Sequence, residues 1–137
     1  MEKVTIYTDG ACRGNPGPAG AGALILDGKG QPIAEISEFL GNATNNIAEY
    51  TALIKALEKT LALGIHKAEI FTDSQLLVKQ VLGEYKVKNE GLKSLYQRVK
   101  ELEQQFEQFA ISHVPREKNK LADKLANKGI DQGNLGR

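Results

Sequence analysis

The chain has 137 residues, 41% hydrophobic and 26% charged, with a formal charge of +1, which suits one globular domain around a single buried core. No apolar run approaches the roughly 18 residues that cross a bilayer, and no lipid-anchor signal is present, so a membrane protein is not expected. The single Cys12 cannot close an internal disulfide, and no basic-then-apolar leader precedes KVTIYT, so a soluble protein in a reducing, cytoplasmic setting is expected.

Residues 3–8 alternate as a strand that Asp9 ends. Gly14 to Pro18 force a tight turn, and 20–26 and 33–39 read as two further strands separated by DGKGQP, so the three form an antiparallel meander. From Asn45 to Leu63 apolar residues recur at helical spacing, with Gly64 placed to end the helix. A strand over 68–72, a short helix over 74–82 ended by Gly83, and a long amphipathic helix marked by Leu92, Leu95, Tyr96, Val99, Leu102 and Phe106 follow. Residues 109–114 are a last strand. The final helix starts near Lys118 or Asn119, turns Leu121, Ala122 and Leu125 inward and stops at Gly129, leaving 130–137 as a flexible tail after a single domain over 1–129. The resulting α/β fold is a mixed five-stranded sheet, three antiparallel strands and then two parallel additions, with helices on both faces.

Charge is uneven along the chain. Lys86, Lys88, Lys93, Arg98 and Lys100 fall in one region, and Arg116, Lys118, Lys120, Lys124 and Lys128 in another. Either is a footprint for a polyanion or an ordinary solvated helix face.

The chemistry concentrates in Asp9, Glu49, Asp73 and Asp123, embedded in TDGACRGNPGPAGAG, TNNIAEY, TDSQ and LADKLAN. Each has a plainer reading alone. Asp9 before Gly10 reads as a turn carboxylate, and Glu49 as a surface glutamate at the edge of its helix's apolar stripe. Asp73 reads as the N-cap of the following helix, and Asp123 as a first-turn aspartate favoured by the helix dipole. Together they suggest one carboxylate cluster. Hard divalent cations take oxygen ligands, and two of them roughly 3.5–4 Å apart drive in-line attack on a phosphodiester. A metal-dependent nuclease is therefore the leading reading. Thr44, Asn45 and Asn46 exceed what one helix cap requires, and the two asparagines can also reach base or sugar edges.

Other chemistries lack their residues. The glycine-rich segment has no Gly-Lys-Ser/Thr ending, no Rossmann spacing, and leads into a strand instead of a helix. His66 reads as a loop residue and His113 as a strand residue, and Cys12 has no partner set for thiol catalysis.

The four motifs in this order resemble type 1 ribonuclease H, with matches spread from Val4 to Lys128. The resemblance implies that fold and a metal-dependent endonuclease in which Asp9, Glu49, Asp73 and Asp123 bind two Mg²⁺ ions, with Mn²⁺ as a substitute. It implies hydrolysis of the RNA strand of RNA–DNA hybrids, leaving 5′-phosphate and 3′-hydroxyl ends. It assigns substrate contacts to Gly14, Asn15, Asn45, Asn46 and Gln75, reading 2′-hydroxyls across the minor groove, and a DNA-strand phosphate pocket to Thr44 and Asn89.

The chain departs from the family pattern in three places. Asn42 stands where relatives often carry arginine. Only GEYKVKNEG, with Lys86 and Lys88, replaces the longer basic protrusion, so weaker and more salt-sensitive hybrid binding is expected. The mobile histidine before the last helix has no clear equivalent, and Arg116 or Lys118 substitutes only in part.

The alternative is a catalytically weak or inactive hybrid-binding module, since fold alone does not establish activity. A proofreading-type exonuclease would want an acid two residues after Asp9, where Ala11 stands. Cleavage of double-stranded RNA, and a physiological substrate among R-loops or primers, stay open. A monomer is expected.

Overall fold

The computed structural model describes residues 2–135, with side chains through residue 133. Its elements run β1 (Val4–Cys12), β2 (Gly17–Leu26), β3 (Pro32–Ala43), α1 (Asn45–Ala62), β4 (Lys67–Thr72), α2 (Gln75–Val81), α3 (Glu90–Glu103), β5 (Gln108–His113) and α4 (Lys120–Leu135), with a 3₁₀ turn at Arg116–Lys118. The sheet order is β3-β2-β1-β4-β5. β1 pairs antiparallel with β2, and β2 with β3, while β4 joins β1 and β5 joins β4 in parallel. The expected mixed sheet is the observed one. Among the described residues no helix is long and apolar enough to cross a membrane.

The two faces of β2 explain the layering, because successive side chains on a strand point to opposite sides. Ala23 and Ile25 join Ile6, Tyr50, Leu53, Leu57 and Ile70 in the main core beneath α1. Gly20 and Gly22 face the other way, and a Cβ on either would lie 2.2 Å from an α4 carbonyl, of Ala126 and Ala122 respectively. α4 therefore lies against the backbone of the meander, an approach only glycine permits. α3 packs on α1 and extends the first layer.

Several expectations are corrected. Asp9 does not end β1: it lies within the strand, opposite Gly22, and pairing continues to Cys12 opposite Ala19. The Asp9–Gly10 pair is thus held by the neighbouring strand instead of making a turn. Gly129 does not stop the last helix. A Cβ there would meet the Glu38 backbone at 2.7 Å, so this glycine is a close-packing residue, and Ile130 beyond it is fully buried. The expected tail is helical through Leu135, and its last two residues, 136–137, lie outside the described residues. Leu121, expected inward, is 62% exposed, whereas Ala122, Ala126 and Ile130 make the buried face of α4. Phe106 is buried but lies past the end of α3.

Candidate active site

Asp9 sits on the central strand, 5% exposed, and two glycines bring partner elements to it. Gly10 beside it lets α1 approach, since a Cβ at position 10 would lie 2.3 Å from the α1 backbone at Ala48 and Glu49. Glu49 then accepts the Gly10 N–H on its Oε1 at 2.8 Å. Gly22, across the ladder, lets α4 approach at Ala122, and the next residue is Asp123. Asn119, buried at the start of α4, donates its Nδ2 to the Thr8 carbonyl at 2.9 Å, tying that helix to the residue before Asp9.

Asp73 arrives from the parallel neighbour. Thr72 of β4 pairs with Thr8 of β1, so Asp73 leaves its strand at the height of Asp9. The expected N-cap role falls to Ser74 instead, whose hydroxyl accepts the Leu77 N–H at 3.2 Å. Asp73 is thereby free of capping and points into the cluster.

The structure brings carboxylate oxygens of Asp9, Glu49 and Asp73 within 4.8 Å of one another. Asp123 lines the same cleft, and its carboxyl adds to the crowding felt by Asp9. Burial above all, then the charges of Glu49 and Asp73 and the contact with Asp123, push the Asp9 carboxyl up to about 10. Burial also raises Glu49, to about 8, against the lowering effect of the Gly10 N–H. Such crowding of acids favours protonation unless a cation compensates. An all-oxygen donor set with this uncompensated charge fits hard divalent cations.

The acids line a cleft of about 480 Å³ with Gly10, Ala11, Cys12, Asn45, Asn46, Ser74, Arg116 and Asn127. Arg116 is the one cation lining it among the described residues, with Nε 3.8 Å from Asp73 Oδ2. A second concavity of about 380 Å³ is lined by Asn15, Thr44, Asn45, Asn46, Ile47, Asn89 and Leu92. It gathers Thr44 with Asn89, the pair the sequence resemblance assigns to a phosphate, and meets the acidic cleft through Asn45 and Asn46. Thr44 and Asn89 cap α1 and α3 through bonds to the Ile47 and Leu92 amides. Asn15 Oδ1 accepts the Asn45 N–H at 3.0 Å. Gly14, with φ of 99°, forms the exposed turn ahead of a cis Asn15–Pro16 bond. Gln75, at the start of α2, is exposed and lines neither cleft.

Sequence reasoning missed Ser74, Asn119, Asn127 and Arg13. Ser74 carried a signal, as a capping residue type three positions before the amide it satisfies. Asn127 carried one as well, standing four residues after Asp123 on the same helix, whereas Asn119 and Arg13 carried none, because their partners, Thr8 and Asn127, are set by the seating of α4. Cys12 is also at the cleft, its Sγ directed to the carbonyls of Gly14 and Ala43.

The family model described as "Reverse transcriptase-like" matches residues 7–129. Ribonuclease HI of Halobacterium salinarum is 44% identical over 129 residues, covering 94% of this chain and 65% of the relative, so the chain spans just under two thirds of that protein. Ribonuclease H of Thiobacillus denitrificans is 38% identical over 143 residues, covering 94% of each. Among solved structures, LC11-RNase H1 in complex with an RNA/DNA hybrid superposes with a TM-score of 0.90 at 43% identity, over 95% of this chain and 98% of that one.

Proposed function

The chain belongs to the ribonuclease H family, and on that premise we propose that it is an endoribonuclease hydrolysing the RNA strand of RNA–DNA hybrids with two divalent ions. The observation that carries the reading is the convergence of Asp9, Glu49 and Asp73 within 4.8 Å, with Asp123 lining the same cleft. LC11-RNase H1, bound to such a hybrid, shares the fold closely.

In this reading the four carboxylates hold Mg²⁺, or Mn²⁺ in its place. When bound, the ions supply activation of a water and neutralisation of the charge growing on the leaving 3′ oxygen. The water oxygen bonds to phosphorus as the bond to the 3′ oxygen breaks, leaving a 5′-phosphate and a 3′-hydroxyl. Glu49, fixed by the Gly10 amide, and Asp9, fixed within a paired strand, orient their oxygens before substrate arrives. Asn15, Asn45 and Asn46, with Gly14 and Gln75 nearby, contact the minor groove and its 2′-hydroxyls. Thr44 and Asn89 take a phosphate of the DNA strand. Arg116, 87% exposed at the rim, occupies the loop before α4 and assists release of the 5′-phosphate product. The protein acts as a monomer in the cytoplasm.

The test is cleavage of an end-labelled RNA–DNA hybrid beside matched double-stranded RNA and DNA, in Mg²⁺, in Mn²⁺ and in EDTA. Metal-dependent cuts confined to the hybrid's RNA strand support the reading. Cuts in double-stranded RNA as well broaden the substrate, and binding without cutting in either metal would replace it with a hybrid-binding module.

A further inference from the structure

Asp123 rides on a helix, half-buried, outside the tight trio of oxygens. Its rotamer is held by a chain of polar contacts that the mechanism above does not use. Asn127, one turn further along α4, donates Nδ2 to the Asp123 carboxylate Oδ1 at 3.3 Å and to its carbonyl at 3.0 Å. On its other side, Asn127 Oδ1 and its carbonyl oxygen accept from Arg13 Nη2, each at 3.4 Å. Arg13 is in turn paired with Asp131 at 2.8 Å.

We infer that Asn127 is a positioning residue for Asp123, and that Arg13, anchored by Asp131, steadies the Asn127 amide in the orientation that does so. The inference rests on the proposed metal role of Asp123. The chain of contacts has a single polarity: guanidinium to amide oxygen, then amide N–H to carboxylate. Turning the amide over would set its oxygen against the carboxylate and its NH₂ against the guanidinium, so both contacts would become repulsive. Arg13 therefore reinforces, from the far side, the one orientation that the Asp123 carbonyl and carboxylate also favour. Orientation of a metal ligand by an outer hydrogen bond is what keeps its free oxygen aimed at the ion.

Arg13 is well placed to do this. It leaves the end of β1, its own N–H donates to the Pro18 carbonyl at 2.9 Å, and the turn it opens is tied to α1 by Asn15. The guanidinium thus reaches α4 from a fixed loop, while an ordinary exposed pair with Asp131 alone would contribute little.

The test is Mn²⁺ titration by calorimetry on the full chain without substrate, with kcat and KM on the hybrid as a second readout. Asn127→Ala is expected to weaken Mn²⁺ binding and lower kcat roughly tenfold, with hybrid KM held. Arg13→Ala is expected to give a smaller loss of the same kind, roughly threefold, because it acts through Asn127. The double variant should be no worse than Asn127→Ala alone. Thermal melts in EDTA check folding, and Asn127→Leu, which keeps the bulk without the bonds, should behave as Asn127→Ala. Additive losses in the double variant, or Arg13→Ala raising KM at unchanged Mn²⁺ affinity, would overturn the inference alone. An Asp123→Asn protein that binds Mn²⁺ like wild type would overturn it together with the metal role assigned to Asp123.

Discussion

Gly10 donates its backbone N–H to Glu49 Oε1 at 2.8 Å, while the space a Cβ would need at position 10 is filled by the α1 backbone at 2.3 Å. The same approach seats α1 on the sheet and aims its acid at Asp9. Gly10→Ala should consequently damage both packing and the site. A loss on the order of 2 kcal/mol in denaturant unfolding is expected from the overpacking, together with cleavage far below wild type. An unchanged unfolding midpoint would mean that α1 can shift outward freely.

Metal-free stability should depend on pH through Asp9 and Glu49. Their folded carboxyls lie near 10 and 8, against ordinary values of 3.8 and 4.5. A raised acid favours the folded state while protonated, so that contribution is complete below about pH 4 and declines as pH rises toward the folded values. In EDTA, Asp9→Asn should therefore be more stable than wild type at pH 7, on the order of 2 kcal/mol, and its melting point should fall less between pH 5 and 9. Adding Mg²⁺ should reverse the ranking, because only the wild-type cluster gains a compensating ion. Differential scanning calorimetry in the two conditions checks both halves.

Asp73 is unburdened by capping, since Ser74 takes that role. Asp73→Asn keeps the size and removes an anionic ligand, so folding should be nearly intact while Mg²⁺-dependent cleavage drops at least ~100-fold, the loss of several kcal/mol of charge stabilisation. Near-normal cleavage by this variant would sink the two-ion assignment.

Arg116 pairs only loosely with Asp73, at 3.8 Å, and its side chain is 87% exposed. Arg116→Ala should leave the melting temperature in place, as exposed pairs contribute little. Turnover should fall on the order of tenfold, because a charge-assisted hydrogen bond to a phosphate is removed. Multiple-turnover assays should show the fall more than single-turnover ones if product release is affected.

Lys86 lines a concavity with Tyr85, Lys93 and Tyr96, and Lys88 follows it in the short connection before α3. If this connection neutralises phosphates, the Lys86→Ala/Lys88→Ala protein should bind hybrid more weakly, and the slope of log affinity against log salt should lessen by about 0.7–0.9 for each phosphate no longer neutralised. An identical slope would assign the two lysines to a solvated face.

Much of this molecule is local in origin. The periodicity of Ile47, Tyr50, Leu53 and Leu57 makes α1, Gly64 and Gly83 take positive φ just beyond their helices, and alternation makes the strands. The spacing of Asp9, Glu49, Asp73 and Asp123 within their motifs also points to one cluster without knowledge of the fold, because each acid falls near a strand end or a helix start that a sheet would gather.

Local signals fail where two structures share one signature. An aspartate before a glycine reads as a turn, yet the pairing of Asp9 with Gly22 keeps the strand running. A glycine late in a helix reads as a stop, yet Gly129 is needed because the β3 backbone at Glu38 leaves no room for a Cβ. Asp73 and Ser74 are both good caps, and only the geometry of the β4 exit decides between them. The order of elements and the identity of the acids were determined by the sequence itself, since both depend on near neighbours along the chain. The aim of the acids, the link from Arg13 to Asn127 and the reach of α4 were decided by the tertiary structure, since each depends on how closely two backbones distant in sequence can approach.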